Sequence, residues 1–408
     1  MKYSKIFGKT IKTVPSDAQM ISHKYLWQGG FIRRFSAGRW GFLPLGMRVW
    51  QKIYHIIEEE MEAIGCQRLV VPTFHPIEIW QATGRDQAFG EEMLVIDDHH
   101  GNTFAIGATA EGMMVELVKM FSPSYKDLPI EIYQFSQKFR DDKRPRGGIM
   151  RVREFMMKDA YSFDKDQAGL EKNYKKMLSA YKKIFNECGL KFITTEAESG
   201  AMGGSVSHEF MVPADIGEDS LFYCSSCKEY FKDKSKCPKC KAKLEEKKMV
   251  EIGHIFQLGT KYSLAQEALF LDEKGKRQPF IMGCYGIGVS RILSSIAEVI
   301  CDEKGIIWPK AIAPFDVSLV VLDKSLLPEA LDVEEALEAE GFSVLVDDRD
   351  EAAGVKFNDA SLIGNPYILV MGKKYLKDKI IDVEVRATKK KHEFTKEQAL
   401  KFIVKEYD

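Results

Sequence analysis

Apolar residues recur at helical spacing over 45–64, where Val49, Ile53, Ile56, Ile57, Met61 and Ile64 share one face, and Gly65 supplies a stop signal. The run Arg68-Leu69-Val70-Val71 is rich in β-formers and closed by Pro72, so a long helix feeding a short strand is the first unit predicted. Strands are predicted over 103–107, over 131–140 and again over 151–163. Between the last two, 141–148 is charged and broken by Pro145, Gly147 and Gly148, which reads as a loop. Leu170, Tyr174, Met177, Leu178, Tyr181, Ile184 and Phe185 set one face of a helix over 166–188. Apolar β patterning then runs from Val250 to about Val289, and a helix over 290–300 follows. Pro309 and Pro314 mark a linker. Beyond it strands and helices alternate: strand 316–320, helix 331–340, strand 343–346, helix 356–363, strands 367–370 and 380–385, helix 396–404. This is a compact α/β domain of about 95 residues, and no internal repeat is visible.

Composition sharpens this picture in one place. The chain has 408 residues, 45% hydrophobic and 29% charged, enough for two or three domains, each with a core. A net charge of −1 announces no nucleic-acid binder globally, so any RNA contact rests on local basic surface. No apolar run reaches the roughly 18–20 residues needed to span a bilayer. The start, Met1 to Phe7, is mildly basic without an apolar core segment, so a cytoplasmic location and no membrane attachment are expected. The stretch 228–248 departs from the rest: it holds nine lysines and little that is large and apolar. Four of the eight cysteines cluster in and just before it, as Cys224-x2-Cys227 and Cys237-x2-Cys240. In a reducing compartment this spacing reads as a zinc ribbon, four thiolates closing a tetrahedral structural Zn2+ site. The flanking lysines are either a solvated face or a contact for RNA phosphate.

Three segments carry candidate chemistry. Arg140 and Asp142 precede the 141–148 loop, and Arg151, Arg153, Phe155 and Asp159 follow it on one strand face. A hairpin there brings Arg140 and Arg151 near each other. Guanidinium forks suit phosphate oxygens and an aromatic ring suits a base. An exposed charged hairpin would look the same. The alternating glycines of Gly283-Cys284-Tyr285-Gly286-Ile287-Gly288 clear one strand face for a flat ligand, with Arg291 at the next helix start; an ordinary turn or bulge is the other reading. In Gly107-Ala108-Thr109-Ala110-Glu111, an extended segment points a hydroxyl and a carboxylate the same way, toward a ligand ammonium.

In this order the segments resemble the three motifs of class II aminoacyl-tRNA synthetases. The helix, strand and Pro72 resemble motif 1; Phe139-Arg140-x-Asp142 with Arg151-x3-Phe155-x3-Asp159 resembles motif 2; the glycine strand ending in Arg291 resembles motif 3. Longer strings narrow the resemblance to the bacterial-type prolyl-tRNA synthetases. They include Arg153-Glu154-Phe155-Met156-Met157-Lys158-Asp159-Ala160-Tyr161-Ser162-Phe163, Gly203-Gly204-Ser205-x-Ser207-His208-Glu209-Phe210 and Gly253-His254-Ile255-Phe256-Gln257-Leu258-Gly259-Thr260-Lys261-Tyr262-Ser263. The resemblance covers nearly the whole chain except the cysteine-rich insert.

It implies an α/β (α+β) architecture: a class II antiparallel-sheet catalytic domain over 1–219, a zinc-ribbon-like insert over 220–249, the catalytic domain resumed over 250–312, and a C-terminal α/β anticodon-binding domain over 313–408. It implies ATP-dependent attachment of L-proline to tRNA(Pro) through a prolyl adenylate. Arg140 would hold the α-phosphate and the proline carboxylate, and Arg291, with Arg151, the γ-phosphate end. Phe155 would stack on adenine, Asp142 would lie beside it, Gly286 and Gly288 would line the nucleotide, and Glu251 would lie near ATP and Mg2+. Thr109 and Glu111 would receive the imino group, with His254 and Phe256 walling the ring. Arg349, Lys356 and Asp359 would read the anticodon. A homodimer is implied as well. The family pattern usually has Glu where Asp142 stands and often Gly-Pro where Gly107-Ala108 stands. Only about 30 residues occupy the place where many bacterial prolyl enzymes carry an editing domain, so no editing in cis is expected and a free-standing editor is a candidate partner. Two alternatives remain: a same-subclass enzyme for threonine or serine, and a catalytically silent synthetase-like tRNA-binding protein.

Overall fold

The computed structural model describes residues 1–121, 123–198, 200–232 and 236–407. Asp233, Lys234 and Ser235 of the lysine-rich insert therefore lie outside the described residues. The chain divides into two compact units. One comprises Ala37–Arg39 and Tyr54–Ser295, the other Met1–Ser36, Trp40–Ile53 and Ile296–Asp408.

The first unit is built on a nine-stranded sheet. Along it run Glu229–Phe231, Asp219–Cys224, Glu245–Gly259, Ile281–Gly288, Glu154–Asp164, Ile130–Phe139 and Gln67–Arg68, with Val206–Pro213 branching from Glu245–Gly259 and Ile193–Glu196 pairing with Val206–Pro213. The pairings are antiparallel except at Gln67–Arg68, which runs parallel to Ile130–Phe139. Register decides what each face does, because strand side chains alternate. His254 lies opposite Gly286, which lies opposite Asp159; Phe256 lies opposite Cys284. These residues share one face. Their neighbours Lys158, Tyr285, Ile287 and Ile255 point the other way, onto the helix Gln167–Glu187. Tyr181 and Phe185 of that helix meet Phe210 at ring-centroid distances of 5.3 and 5.2 Å. The helical stripe predicted over 166–188 thus seals the back of the sheet and leaves the front for a ligand.

Two differences from the sequence reading matter. Glu111 is not in an extended segment; it opens the helix Glu111–Met120. Burial of Met114, Val115 and Val118 against the sheet overrides the local pattern. The β pattern expected from Val250 to Val289 is interrupted by the short helix Lys261–Ala265 and a hairpin of Leu269–Leu271 and Arg277–Pro279. In the insert, Asp219–Cys224 pairs with the first half of Glu245–Gly259, and Glu229–Phe231 pairs in turn with Asp219–Cys224.

The second unit carries a five-stranded sheet in the order Val344–Asp347, Val317–Val321, Tyr367–Met371, Ile381–Val385, Lys390–Phe394. The first three strands are parallel and the last two antiparallel. Leu327–Ala339 and Lys396–Tyr407 cover one face, Ala353–Ile363 the other. The chain start completes an edge: Lys2 bridges Val346 in parallel and the Met1 amine donates to Val344 O at 2.8 Å. The stretch expected as a linker at 309–314 is packed, with Ile312 and Ala313 buried.

Candidate active site

A cavity of about 320 Å³ opens on the front of the nine-stranded sheet. Its lining includes Thr109, Glu111, Arg140, Phe155, Glu251, His254, Phe256, Gly286, Gly288 and Arg291. Residues 109 to 291 of the sequence thus converge on one space, of the size usual for a small-ligand site.

Arg140 follows the strand Ile130–Phe139, its amide bonded to Arg153 O at 2.9 Å. Its Nε donates to Ala108 O at 3.2 Å and its guanidinium lies 5.4 Å from the Phe155 ring centroid. Burial pulls its pKa down, and the Arg291 charge adds to this. Two guanidinium groups that disfavour each other in one cavity make a receptor for an anion. Arg291 is tied by Nε to Met150 O at 3.3 Å and by Nη1 to Glu251 O at 3.1 Å. Burial pushes the Glu251 carboxyl up, but a hydrogen bond from His254 and the charges of Arg291, His254 and Arg140 hold it down at about 2. Nδ1 of His254 lies 3.3 Å from Glu251 and 3.5 Å from Glu209. These three donors lie within 4.8 Å of one another, a set that could hold a hard divalent cation. His254 also stacks on Phe256, ring centroids 3.8 Å apart.

The other end of the cavity is acidic. Glu111 has no exposed surface. Its Oε1 accepts from Thr109 at 2.6 Å and from the Cys284 thiol at 3.3 Å; its Oε2 accepts from Arg85 at 2.8 Å. Burial raises its pKa, but the Arg85 charge and the Thr109 hydrogen bond bring it below the ordinary value. The carboxylate therefore stays ionised without water.

Two expected residues do not face this space. Arg151 bonds Asp142 and Glu218, and neither Arg151 nor Asp142 lines the cavity. Arg146 pairs with Glu218 too, at 2.8 Å, so ion pairs to Glu218 hold the loop.

The family description "tRNA synthetase class II core domain (G, H, P, S and T)" matches residues 94–300, and "Anticodon binding domain" matches 316–406. The "Proline--tRNA ligase" of Sulfurimonas denitrificans is 44% identical over 418 aligned positions, which cover 95% of this chain and 96% of that protein. The chain belongs to the proline--tRNA ligase family. The family member from Nitratidesulfovibrio vulgaris is 34% identical over 551 positions, covering 96% of each chain. Since 551 exceeds the 408 residues here, a block of that relative has no counterpart, in keeping with the missing editing insertion. The fold of a solved prolyl-tRNA synthetase from Cryptosporidium parvum matches with a TM-score of 0.79 at 17% identity, covering 97% of this chain and 77% of that one.

Outside the cavity, the four cysteines lie with their sulfurs within 4.8 Å of one another. Each knuckle ends on a lysine in the left-handed region, Lys228 at φ 58° and Lys241 at φ 61°, and each lysine amide bonds back to the first cysteine's carbonyl, at 2.8 Å. Non-glycine residues take that conformation only where the surroundings hold them there. The donor set and its closeness fit tetrahedral zinc.

The expected anticodon residues are engaged internally. Arg349 pairs with Asp347 through Nε and Nη2 at 2.8 and 2.7 Å, with Asp359 at 2.9 Å, and lies over the Tyr3 ring at 4.1 Å. Lys356 is buried, its amine on the carbonyls of Val321 and Asp347. This network shapes the surface rather than projecting from it, because burying such charges demands partners.

Arg85, Cys284, Glu209 and Met202 are site residues that residue-by-residue reading did not assign. Glu209 and Cys284 sit inside strings that carried the family resemblance. Nothing local marks Arg85, whose partner lies 26 positions away.

Proposed function

We propose that this chain activates L-proline with ATP and passes the prolyl group to tRNA(Pro). As a member of the proline--tRNA ligase family it joins proline to tRNA; the residue roles are our reading. One observation carries it: two guanidinium groups share a cavity with a buried carboxylate at its other end.

The proline ammonium has two N–H donors, and the site offers the Thr109 oxygen and the Glu111 carboxylate. His254 and Phe256 wall the ring. Arg140 then aligns the proline carboxylate with the α-phosphate. One carboxylate oxygen bonds to phosphorus as the bond to pyrophosphate breaks, and Arg140 and Arg291 offset the charge on the phosphoryl oxygens. Phe155 stacks on adenine, and Gly286 and Gly288 leave backbone for the nucleotide to lie against. Mg2+ would be held by Glu251, with Glu209 and His254 beside it, and would neutralise phosphate charge. Asp142 and Arg151 fix the loop at the nucleotide end through each other. In the second step the tRNA 3′-terminal hydroxyl attacks the carbonyl carbon and AMP leaves. No dedicated general base is assigned.

Zn2+ in the four-cysteine insert is structural in this reading. Arg349, Lys356 and Asp359 position the anticodon surface. A homodimer, a cytoplasmic location and a free-standing editing partner complete the proposal; no described helix is long and apolar enough to cross a membrane. Proline-dependent ATP–pyrophosphate exchange tests it. Exchange with proline, abolished by Arg140→Ala, is expected. Exchange with threonine instead, or tRNA binding without any exchange, overturns it in favour of one of the two alternatives.

A further inference from the structure

Arg85 is a buried cation at the acidic end of the cavity that the mechanism leaves unused. It is 3% exposed, and its guanidinium lies 4.9 Å from the Trp80 ring centroid and 5.2 Å from those of Phe89 and Tyr262. Its Nη1 donates to Glu111 Oε2 at 2.8 Å and its Nη2 contacts Met202 Sδ at 3.7 Å. Phe89 belongs to both this cage and the cavity wall. An arginine suits such a cage as lysine would not: its planar cation stacks on rings and stays protonated when buried.

The other groups facing Glu111 cannot replace it. The Cys284 thiol and the Tyr161 and Tyr262 phenols are pushed up by burial and remain neutral donors. Burial and the Lys138 charge push His75 down to about 4, so it too is neutral. Lys261 is exposed in the helix Lys261–Ala265, its amine on Met202 O, and Arg140 is committed to Ala108 O and, in the proposed function, to the phosphate end. A carboxyl without exposed surface and without a cation against it takes up a proton. A protonated Glu111 would present an O–H where the substrate ammonium needs an acceptor.

We propose that Arg85 is a positioning residue that keeps Glu111 ionised and oriented, so that the cavity takes an amino acid by its ammonium group. Glu111 Oε2 is spent on Arg85, which leaves Oε1, already bonded by Thr109 and the Cys284 thiol, and the Thr109 oxygen as the acceptors of these two cavity-lining residues. This rests on the reading that Glu111 receives the proline ammonium, and the test separates the two.

The measurement is proline-dependent ATP–pyrophosphate exchange by the full chain, with KM for proline and for ATP taken from about pH 6 to about pH 9. In the unsubstituted protein KM for proline is expected to be flat with pH. Arg85→Met is expected to raise KM for proline by roughly 100-fold near neutral pH, leave KM for ATP within about twofold, and make KM for proline fall by about tenfold per pH unit as Glu111 must first lose its proton. Arg85→Lys keeps the charge but not the stacked fork, so its profile stays flat with KM for proline raised by about tenfold; this variant decides the matter if Arg85→Met does not fold. Equal rises in both KM values with a flat profile in Arg85→Met, or a sloped profile in Arg85→Lys, overturn the proposal. Glu111→Gln is the control: if it leaves KM for proline unchanged, the ammonium reading itself fails, whereas a raised KM there with an unchanged Arg85→Met defeats only the role of Arg85.

Discussion

Gly286 stands directly opposite His254 on adjacent antiparallel strands, and a Cβ placed on it would meet nothing nearer than Met157 Sδ at 3.7 Å, with His254 O and Met157 Cε at 4.0 Å. Space for a methyl group exists there, so packing does not require the glycine; in the proposed function the nucleotide lies against it. Gly283, three residues earlier on the other face, is the opposite case. A Cβ there would lie 2.0 Å from the Tyr285 hydroxyl, inside its 3.0 Å contact with Ser162. Gly286→Ala is expected to keep its melting temperature within about 2 °C and raise KM for ATP. Gly283→Ala is expected to destabilise the fold by about 1–3 kcal/mol through overpacking. Thermal melts alongside pyrophosphate exchange check both. A destabilised Gly286→Ala with unaltered KM for ATP would show that this glycine serves the fold.

Asp164 ends the strand Glu154–Asp164 and is 1% exposed. Its Oδ1 accepts from Asn173 at 2.7 Å, while among the described residues its buried Oδ2 lacks a well-formed hydrogen bond. Burial, with help from the Glu131 charge, pushes its carboxyl up to about 7. The unfolded value is about 3.9. The folded state thus binds the proton more tightly, and stability from this group is lost as pH rises from about 4 to about 7 and stays low above that. Asp164→Asn mimics the protonated form. It is expected to gain about 2 kcal/mol at pH 8 and little at pH 5, read from denaturant or thermal unfolding at the two pH values. A gain of equal size at both would contradict the titration.

The four cysteines are expected to bring about one zinc per chain through purification under reducing conditions, measured by elemental analysis. Cys237→Ser is expected to lose the metal and to open the 224–244 segment to proteolysis. Pyrophosphate exchange should survive, because the cavity residues lie on strands that pair beyond the insert. A metal-free native chain with an equally protected insert would sink the zinc reading.

The sequence by itself determined the strands near 103–107, 131–140 and 151–163, the back-sealing helix over 166–188 and the alternating C-terminal domain, because side-chain period and turn residues are local signals; the strand expected over 68–71 is only Gln67–Arg68. It also marked the cysteine cluster and the glycine strand, whose spacing is their chemistry. Register then followed for Asp159, Gly286 and His254, which a period of two places on one face once their strands pair. Tertiary structure alone decided the rest. Residues around Glu111 carry no strong helical signal, and burial of Met114 and Val115 makes the helix. Arg85 meets Glu111 across 26 positions and Cys284 meets it across 173, distances over which no local pattern reaches. Asp142 and Arg151 are motif residues by spacing, yet they bond each other and Glu218 rather than lining the cavity, and Arg349 closes on Asp347, Asp359 and Tyr3. The physical reason is common to all of them: a charge removed from water takes the nearest partner the fold provides, and only the folded chain decides which one that is.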